Sequence, residues 1–177
     1  AMASWLAAAT AYSVHDCPLI PIYTFYSMFG FQRVGDIIWA AADSRARGFL
    51  MGATSGRTTL GGEGLQHNDG TSQLIASTVP NCKSYDPCFA YELAVIMQHG
   101  LHEMFQEQKD VFYYITIMNE NYSHPELPKG VEEGIVQGMY CIDSSADSIV
   151  DILASGAILR QAQQAGEWLR ENLGVSI

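Results

Sequence analysis

Basic residues are scarce in this chain. Nine Lys and Arg stand against nineteen Asp and Glu in 177 residues, a formal net charge of −10. That balance repels phosphate backbones and leaves no basic stripe to neutralise them, which argues against a nucleic-acid partner. Long apolar runs are missing too. The longest, "WLAAA", "DIIWAAA" and "LAVIM", fall far short of the roughly 20 residues that span a bilayer, and no basic-then-apolar leader is present. The expectation is a cytoplasmic chain with no membrane partner. Cysteine pairing signals are also lacking: Cys17, Cys82, Cys88 and Cys141 form no C-x-x-C pair and no zinc-finger spacing, so they read as buried reduced thiols.

What is present is a 48% hydrophobic composition, enough to fill a core. Strand-like and helix-like runs alternate. "LIPIYTF" (19 to 25), "FLMGA" (49 to 53) and the aromatic, β-branched "VFYYITI" (111 to 117) read as strands. "KSYD" reads as a strand end. A helix is expected over 28 to 47 from the recurrence of Phe31, Val34, Ile38 and Ala41, another across "SQLIAST", and a third from Asp86-Pro87 to about Gln106. "AMASWLAAATAY" reads as helix from its first residues. After a proline-broken loop at 118 to 134, "SIVDILA" is expected to be a strand, "AILRQAQQAGEWLREN" a helix, and "GVSI" the start of a further strand. Such alternation implies an α/β fold, a mostly parallel sheet flanked by helices on both faces. Both ends fall inside elements, so the chain reads as a piece of a longer polypeptide, truncated at both ends.

Between two apolar runs lies a polar segment from Thr54 to Gly70, "GRTTLGGEGLQHND" at its centre, with Glu63 and His67. "GATSGRTT" superficially resembles a phosphate loop, but the spacing is one residue short and Arg57 stands for the lysine. A long irregular loop in a compact domain is either an ordinary surface connection or a functional one, and composition leaves both open.

Longer motifs are more specific. "YTFYSMFGFQRVGDIIWAAADSRARGFLMGATSGRTTLGGEGLQHNDG", "PNCKSYDP", "YELAVIMQHGL" and "VFYYITIMNENYSHPELPKGVEEGI" resemble the homodimeric pyruvate dehydrogenase decarboxylating component of bacteria, a thiamine-diphosphate enzyme of the transketolase-like superfamily. The resemblance implies a pyrimidine-binding middle domain over residues 1–128, lacking its N-terminal part, and a linker with the beginning of the C-terminal domain over 129–177. It also implies the activity of the whole enzyme: oxidative decarboxylation of pyruvate, with reductive acetylation of the lipoyl group of the partner dihydrolipoyl acetyltransferase. The alternatives are a transketolase-like or other 2-oxo acid enzyme, or a non-catalytic stand-alone module.

By the same resemblance Tyr26 and Phe29 lie along the cofactor's aminopyrimidine, His67 points to the substrate side of the reactive carbon, and Glu63 and Asp69 tune or orient it. Arg33 is the candidate for an ordering salt bridge. Each has a plainer reading: Tyr26 and Phe29 as core, Arg33 and Asp36 as a helical ion pair, Glu63 as a solvated carboxylate. His99 and His102 at i, i+3 could be half of a metal site, but further ligands are lacking, and no metal ligand is expected in this chain. His124, before Pro125, is a loop residue at a domain junction. The family pattern after the histidine, H-E-D-G-H-S-H, reads "HNDGTSQ" here, with Asn68, Thr71 and Gln73 departing from it. The glutamate that activates the cofactor and the G-D-G motif that holds diphosphate and Mg2+ are not among these residues, so the isolated chain is expected to be inactive.

Overall fold

The computed structural model describes residues 1–56, 59 and 62–177. Helices α1 (Met2–Ala9) and α2 (Ala11–His15) lead into β1 (Ile22–Tyr26), α3 (Ser27–Asp43) and β2 (Phe49–Ala53). Next come α4 (Ser72–Ala76), β3 (Cys82–Tyr85), α5 (Ala90–Leu101), a π-helical turn (His102–Gln106), β4 (Phe112–Thr116), α6 (Glu132–Gln137) and α7 (Leu159–Leu173). The strands pair in the order β1-β2-β4-β3, and every pairing is parallel. The expected α/β architecture is the observed one.

The two central strands show why a parallel sheet needs cover on both sides. Leu50, Phe112 and Tyr114 point to one face, where α1, α3 and α4 supply Trp5, Ile38, Ala41 and Ala76. Phe49, Met51, Tyr113 and Ile115 point to the other, against Ile96 of α5, Met104 of the π turn, Ile135 and Leu159. Successive strand side chains alternate faces, so a strand buried on both faces reads as a continuous apolar run. Each large side chain so buried contributes roughly 1.5–3 kcal/mol. Trp5 ties α1 down, its indole N–H directed at the carbonyls of Pro21 and Phe49, both at 3.1 Å.

Several elements depart from expectation. The first helix breaks at Thr10, whose hydroxyl donates to the Leu6 carbonyl at 2.9 Å and whose backbone leaves helical geometry, as competing side-chain bonds do. The third long helix starts at Ala90 instead of Pro87. The Glu92 carboxylate caps it, accepting the backbone N–H groups of Cys88 and Phe89 at 2.7 and 2.6 Å, while Asp86 bonds elsewhere. "SIVDILA" and "GVSI" form no strands: among the described residues their only ladder-like contact is Ile149 N–H to the Ser176 carbonyl at 3.1 Å. Without a neighbouring strand there is no ladder, and Ile149 and Leu153 stand 78% exposed. The loop at 118 to 134 instead gives way to α6. Nor are all the thiols buried: Cys88 is, Cys82 is partly so, and Cys17 and Cys141 are exposed.

Candidate active site

The carboxyl ends of parallel strands are where open α/β sheets place their ligands, and the sequence candidates gather there. β1 ends at Tyr26 and the chain turns straight into α3, so Tyr26 and Phe29 stand on the rim, Tyr26 53% exposed. β2 ends one residue before Thr54, which holds φ of 53°. A β-branched residue in the left-handed region costs about 1–3 kcal/mol and survives only where its surroundings enforce it, often beside a functional site. From there the chain runs out into the polar segment. Ser55 N–H still bonds the Ile117 carbonyl at 3.1 Å, and the Thr59 hydroxyl reaches Asn119 at 3.4 Å. Arg57 and Thr58, on which the phosphate-loop reading rests, lie outside the described residues.

The polar segment returns to the rim as a 3-10 turn, Leu65–His67, closed by His67 N–H to the Gly64 carbonyl at 2.9 Å. Its imidazole enters the angle between two aromatic rings. The centroid separations are 5.4 Å to Tyr26 and 5.3 Å to Phe29, both edge-to-face, and the two rings are themselves edge-to-face at 6.3 Å. Glu63 Oε2 lies 3.7 Å from His67 Nε2. Arg33 stacks over Phe29, its guanidinium carbon 4.2 Å from the ring centroid. Among the described residues it makes no ion pair with Asp36 or with the loop carboxylates; the contact it does make there is cation–π.

Asp69 sits two residues beyond His67, buried. Its carboxylate accepts the backbone N–H groups of Thr71 and Ser72, both at 3.0 Å, and the Ser72 hydroxyl. Burial pushes its carboxyl up, but the bonds from Ser72 and Thr71, with Ser27 nearby, outweigh it and hold the group below the usual carboxylate range. Of the departures from the family pattern, Thr71 contributes to Asp69 only its backbone N–H, and Gln73 makes side-chain bonds. Gln73 Nε2 donates to the Tyr85 carbonyl at 2.8 Å and to the Thr116 hydroxyl at 3.2 Å, and Thr116 donates to Asp86 at 2.5 Å. Asp86 in turn accepts the Ser155 hydroxyl at 2.8 Å, and its carbonyl the Gly156 N–H at 2.9 Å. Sequence reading had no signal for this chain of bonds. Gly52 inside β2, which the sequence reading passed over, is where a Cβ would meet the Tyr114 hydroxyl at 2.2 Å.

His99 and His102 pair with Glu103 and Glu107, at 3.5 and 3.3 Å, and His124 Nδ1 accepts the Ala90 N–H at 3.1 Å. Among the described residues no three His, Cys, Asp or Glu side chains are grouped as a metal would need. A groove of about 1120 Å3 is bounded by Tyr85, Asp86, Ile152 and Leu159; none of the sequence candidates for the site lines it. No helix is long and apolar enough to cross a membrane among the described residues.

The aromatic rim, the loop histidine and the parallel sheet together pose a family question that comparison answers. The sequence profile of the pyruvate dehydrogenase E1 component middle domain matches residues 1–125. The chain belongs to that family. Among its relatives, the pyruvate dehydrogenase E1 component of Pseudomonas aeruginosa is 59% identical over 178 residues, covering 99% of this chain and 20% of that protein. The Escherichia coli component is 57% identical over 175 residues, 97% of this chain and 20% of its own length. The chain thus spans about a fifth of the length of these pyruvate dehydrogenase components. Solved structures share the fold at low identity. A transketolase from Campylobacter jejuni superposes with a TM-score of 0.77 at 17% identity, over 97% of this chain and 25% of that one. A split-gene transketolase described as an inactive tetramer gives 0.68 at 16% identity, over 99% of this chain and 52% of its own.

Proposed function

We propose that this chain is the part of a pyruvate dehydrogenase decarboxylating component that holds the ring end of thiamine diphosphate and presents an imidazole to pyruvate. The observation that carries the reading is the seating of His67 in the angle between Tyr26 and Phe29, at 5.4 and 5.3 Å. Half-exposed aromatic faces on a rigid rim suit a flat heterocycle, so the residues present fit the ring end of the cofactor. Among the described residues none are grouped to hold a metal ion, so the diphosphate and Mg2+ end would be held outside this chain.

Bound there, thiamine diphosphate supplies the nucleophilic carbon and the electron sink that decarboxylation of a 2-oxo acid requires. The rest is done by side chains. Tyr26 and Phe29 would orient the ring, and Arg33, stacked on Phe29, would brace it. His67 would hold or deliver a proton at the keto oxygen of pyruvate, the work for which an imidazole is suited, with Glu63 steadying it from 3.7 Å. In the whole enzyme the acetyl unit would pass to the lipoyl group of a dihydrolipoyl acetyltransferase, from a homodimer. The test is release of labelled carbon dioxide from carboxyl-labelled pyruvate by the full-length protein with Mg2+ and thiamine diphosphate, beside transfer from a ketose phosphate. Release from pyruvate alone supports the reading; ketose transfer without release would favour a transketolase, and neither would sink both.

A further inference from the structure

The chain of bonds from Gln73 to Ser155 has no part in the roles given to His67 and Glu63, yet it begins on the element that carries His67. Residues 62 to 66 all face solvent, Leu65 at 86%. On the other side of the imidazole the backbone is held. Asn68 N–H bonds the Leu65 carbonyl at 3.1 Å, Asp69 is buried, and its carboxylate accepts the Thr71 and Ser72 N–H groups where α4 begins, both at 3.0 Å. The place of α4 therefore sets where His67 can sit.

Helix α4 is only five residues long, too short to hold itself. Its apolar contacts come from Ala76, fully buried, with Ile75 packed beside it. Such contacts fix depth but have no direction. Direction comes from Gln73. Its amide nitrogen carries two donors, and both are used: one meets the Tyr85 carbonyl at 2.8 Å, the other the Thr116 hydroxyl at 3.2 Å. Tyr85 and Thr116 are the last residues of β3 and β4, which pair side by side. The buried Thr116 hydroxyl has a single proton. It goes to Asp86 at 2.5 Å, which leaves the oxygen to accept from Gln73; a second acceptor, the Tyr85 carbonyl, lies at 3.2 Å. Asp86 is held in turn by the Ser155 hydroxyl at 2.8 Å, and a Cβ at Gly156 would stand 2.4 Å from its carboxylate.

We propose that Gln73 is a positioning residue for His67: its two N–H donors lock α4 to the carboxyl ends of β3 and β4, and α4 carries the turn that presents the imidazole to Tyr26 and Phe29. The inference rests on the reading of His67 given above. The physical argument is one of donors. A methionine would fill nearly the same space but leave the Tyr85 carbonyl and the Thr116 oxygen without their partner. Packing is indifferent between the two side chains, and the orientation of α4 is not. Asp86 acts on the same bonds through Thr116. Without its carboxylate the Thr116 proton turns to the Tyr85 carbonyl and competes with Gln73 for it.

The experiment uses the full-length protein with Gln73→Met, Asp86→Ala and the double change. The reaction of each histidine with diethyl pyrocarbonate is followed peptide by peptide. The expected result is carbethoxylation of His67 at least threefold faster in Gln73→Met, with His99 and His102, on α5 and the π turn, unchanged as internal controls. Asp86→Ala should raise the His67 rate by less. Because both side chains act through Thr116, the double variant should gain no more than Gln73→Met alone. A smaller rise at His67 in a folded Gln73→Met protein, a parallel rise at His99, or independent effects in the double variant would each overturn the proposal. Should Gln73→Met not fold, Asp86→Ala decides alone, and a His67 rate that rises no more than that of His99 overturns it. Loss of folding in both would make these bonds a scaffold for the whole sheet and overturn it as well. The His67 rates decide this inference whatever the result with pyruvate, which tests only the proposed function.

Discussion

Replacing Glu103 by glutamine should destabilise the fold by about 3 kcal/mol at neutral pH, and the loss should fade in acid. Glu103 sits in the π turn with its side chain only 3% exposed. Lys83 Nζ donates to it at 2.8 and 2.6 Å, Lys109 Nζ at 2.9 Å, and the Tyr113 hydroxyl also donates. Burial alone would push its pKa up. The bonds from Lys83, Tyr113 and Lys109 outweigh that and bring it from 4.5 to about 2. At 1.36 kcal/mol per unit, that shift is worth about 3 kcal/mol. It matches the low end of the roughly 3–5 kcal/mol lost when a buried ion pair is broken, since both lysines are partly exposed and can turn to water. The sign follows from linkage: a depressed carboxylate contributes fully above its unfolded value of about 4.5, and the contribution disappears as pH falls toward 2. Urea unfolding followed by tryptophan fluorescence, with buried Trp5 packed edge-on to Phe112 at 6.2 Å as a reporter, would measure it. For a chain of this size about 3 kcal/mol is a Tm loss of roughly 6–12 °C. A wild-type to Glu103→Gln difference below 1 kcal/mol at pH 7, or one that stays constant from pH 5 to pH 2, would refute the reasoning.

Gly52→Ala should destabilise by at least about 1–3 kcal/mol, because its methyl would drive into the Tyr114 ring on a strand that cannot move; unfolding at equal slope with a lowered midpoint would show it. Thiol titration should find two fast cysteines, the exposed Cys17 and Cys141, and two slow ones: Cys82, which burial pushes up to about 12, and the buried Cys88. Four thiols reacting at one rate in the native protein would contradict the burial pattern. Calorimetry should detect no micromolar binding of magnesium thiamine diphosphate to the isolated 177-residue chain, whose residues fit the ring end of the cofactor alone; tight binding would show that the diphosphate end is held here after all.

The sheet was legible in the sequence because its central strands are buried on both faces and so appear as unbroken apolar runs at 49 to 53 and 111 to 117. "SIVDILA" has the same appearance, yet it finds no neighbouring strand in this chain; periodicity states what a segment can do, and pairing partners decide whether it does. Asp86-Pro87 looked like a helix start because both residue types favour one, but Asp86 is drawn to Thr116 and Ser155, and Glu92 takes over the cap. The gathering of Tyr26, Phe29 and His67 came from resemblance; spacing alone gave only an ordinary core pair and a loop histidine. What lay beyond reach was the buried polar layer, Asp69 with Ser72 in one turn and Ser27 and Tyr114 on two other elements, since residues from three separate parts of the chain leave no common pattern in one sequence.

The most direct measurement is pyruvate-dependent carbon dioxide release by the full-length protein, wild type against His67→Ala, with cofactor binding monitored in parallel. Loss of a positioned proton donor predicts a fall in kcat of about 10²–10⁴ with the cofactor still bound. A variant that binds cofactor and keeps kcat within threefold of wild type would contradict the account, because the imidazole between Tyr26 and Phe29 would then have no part in the chemistry.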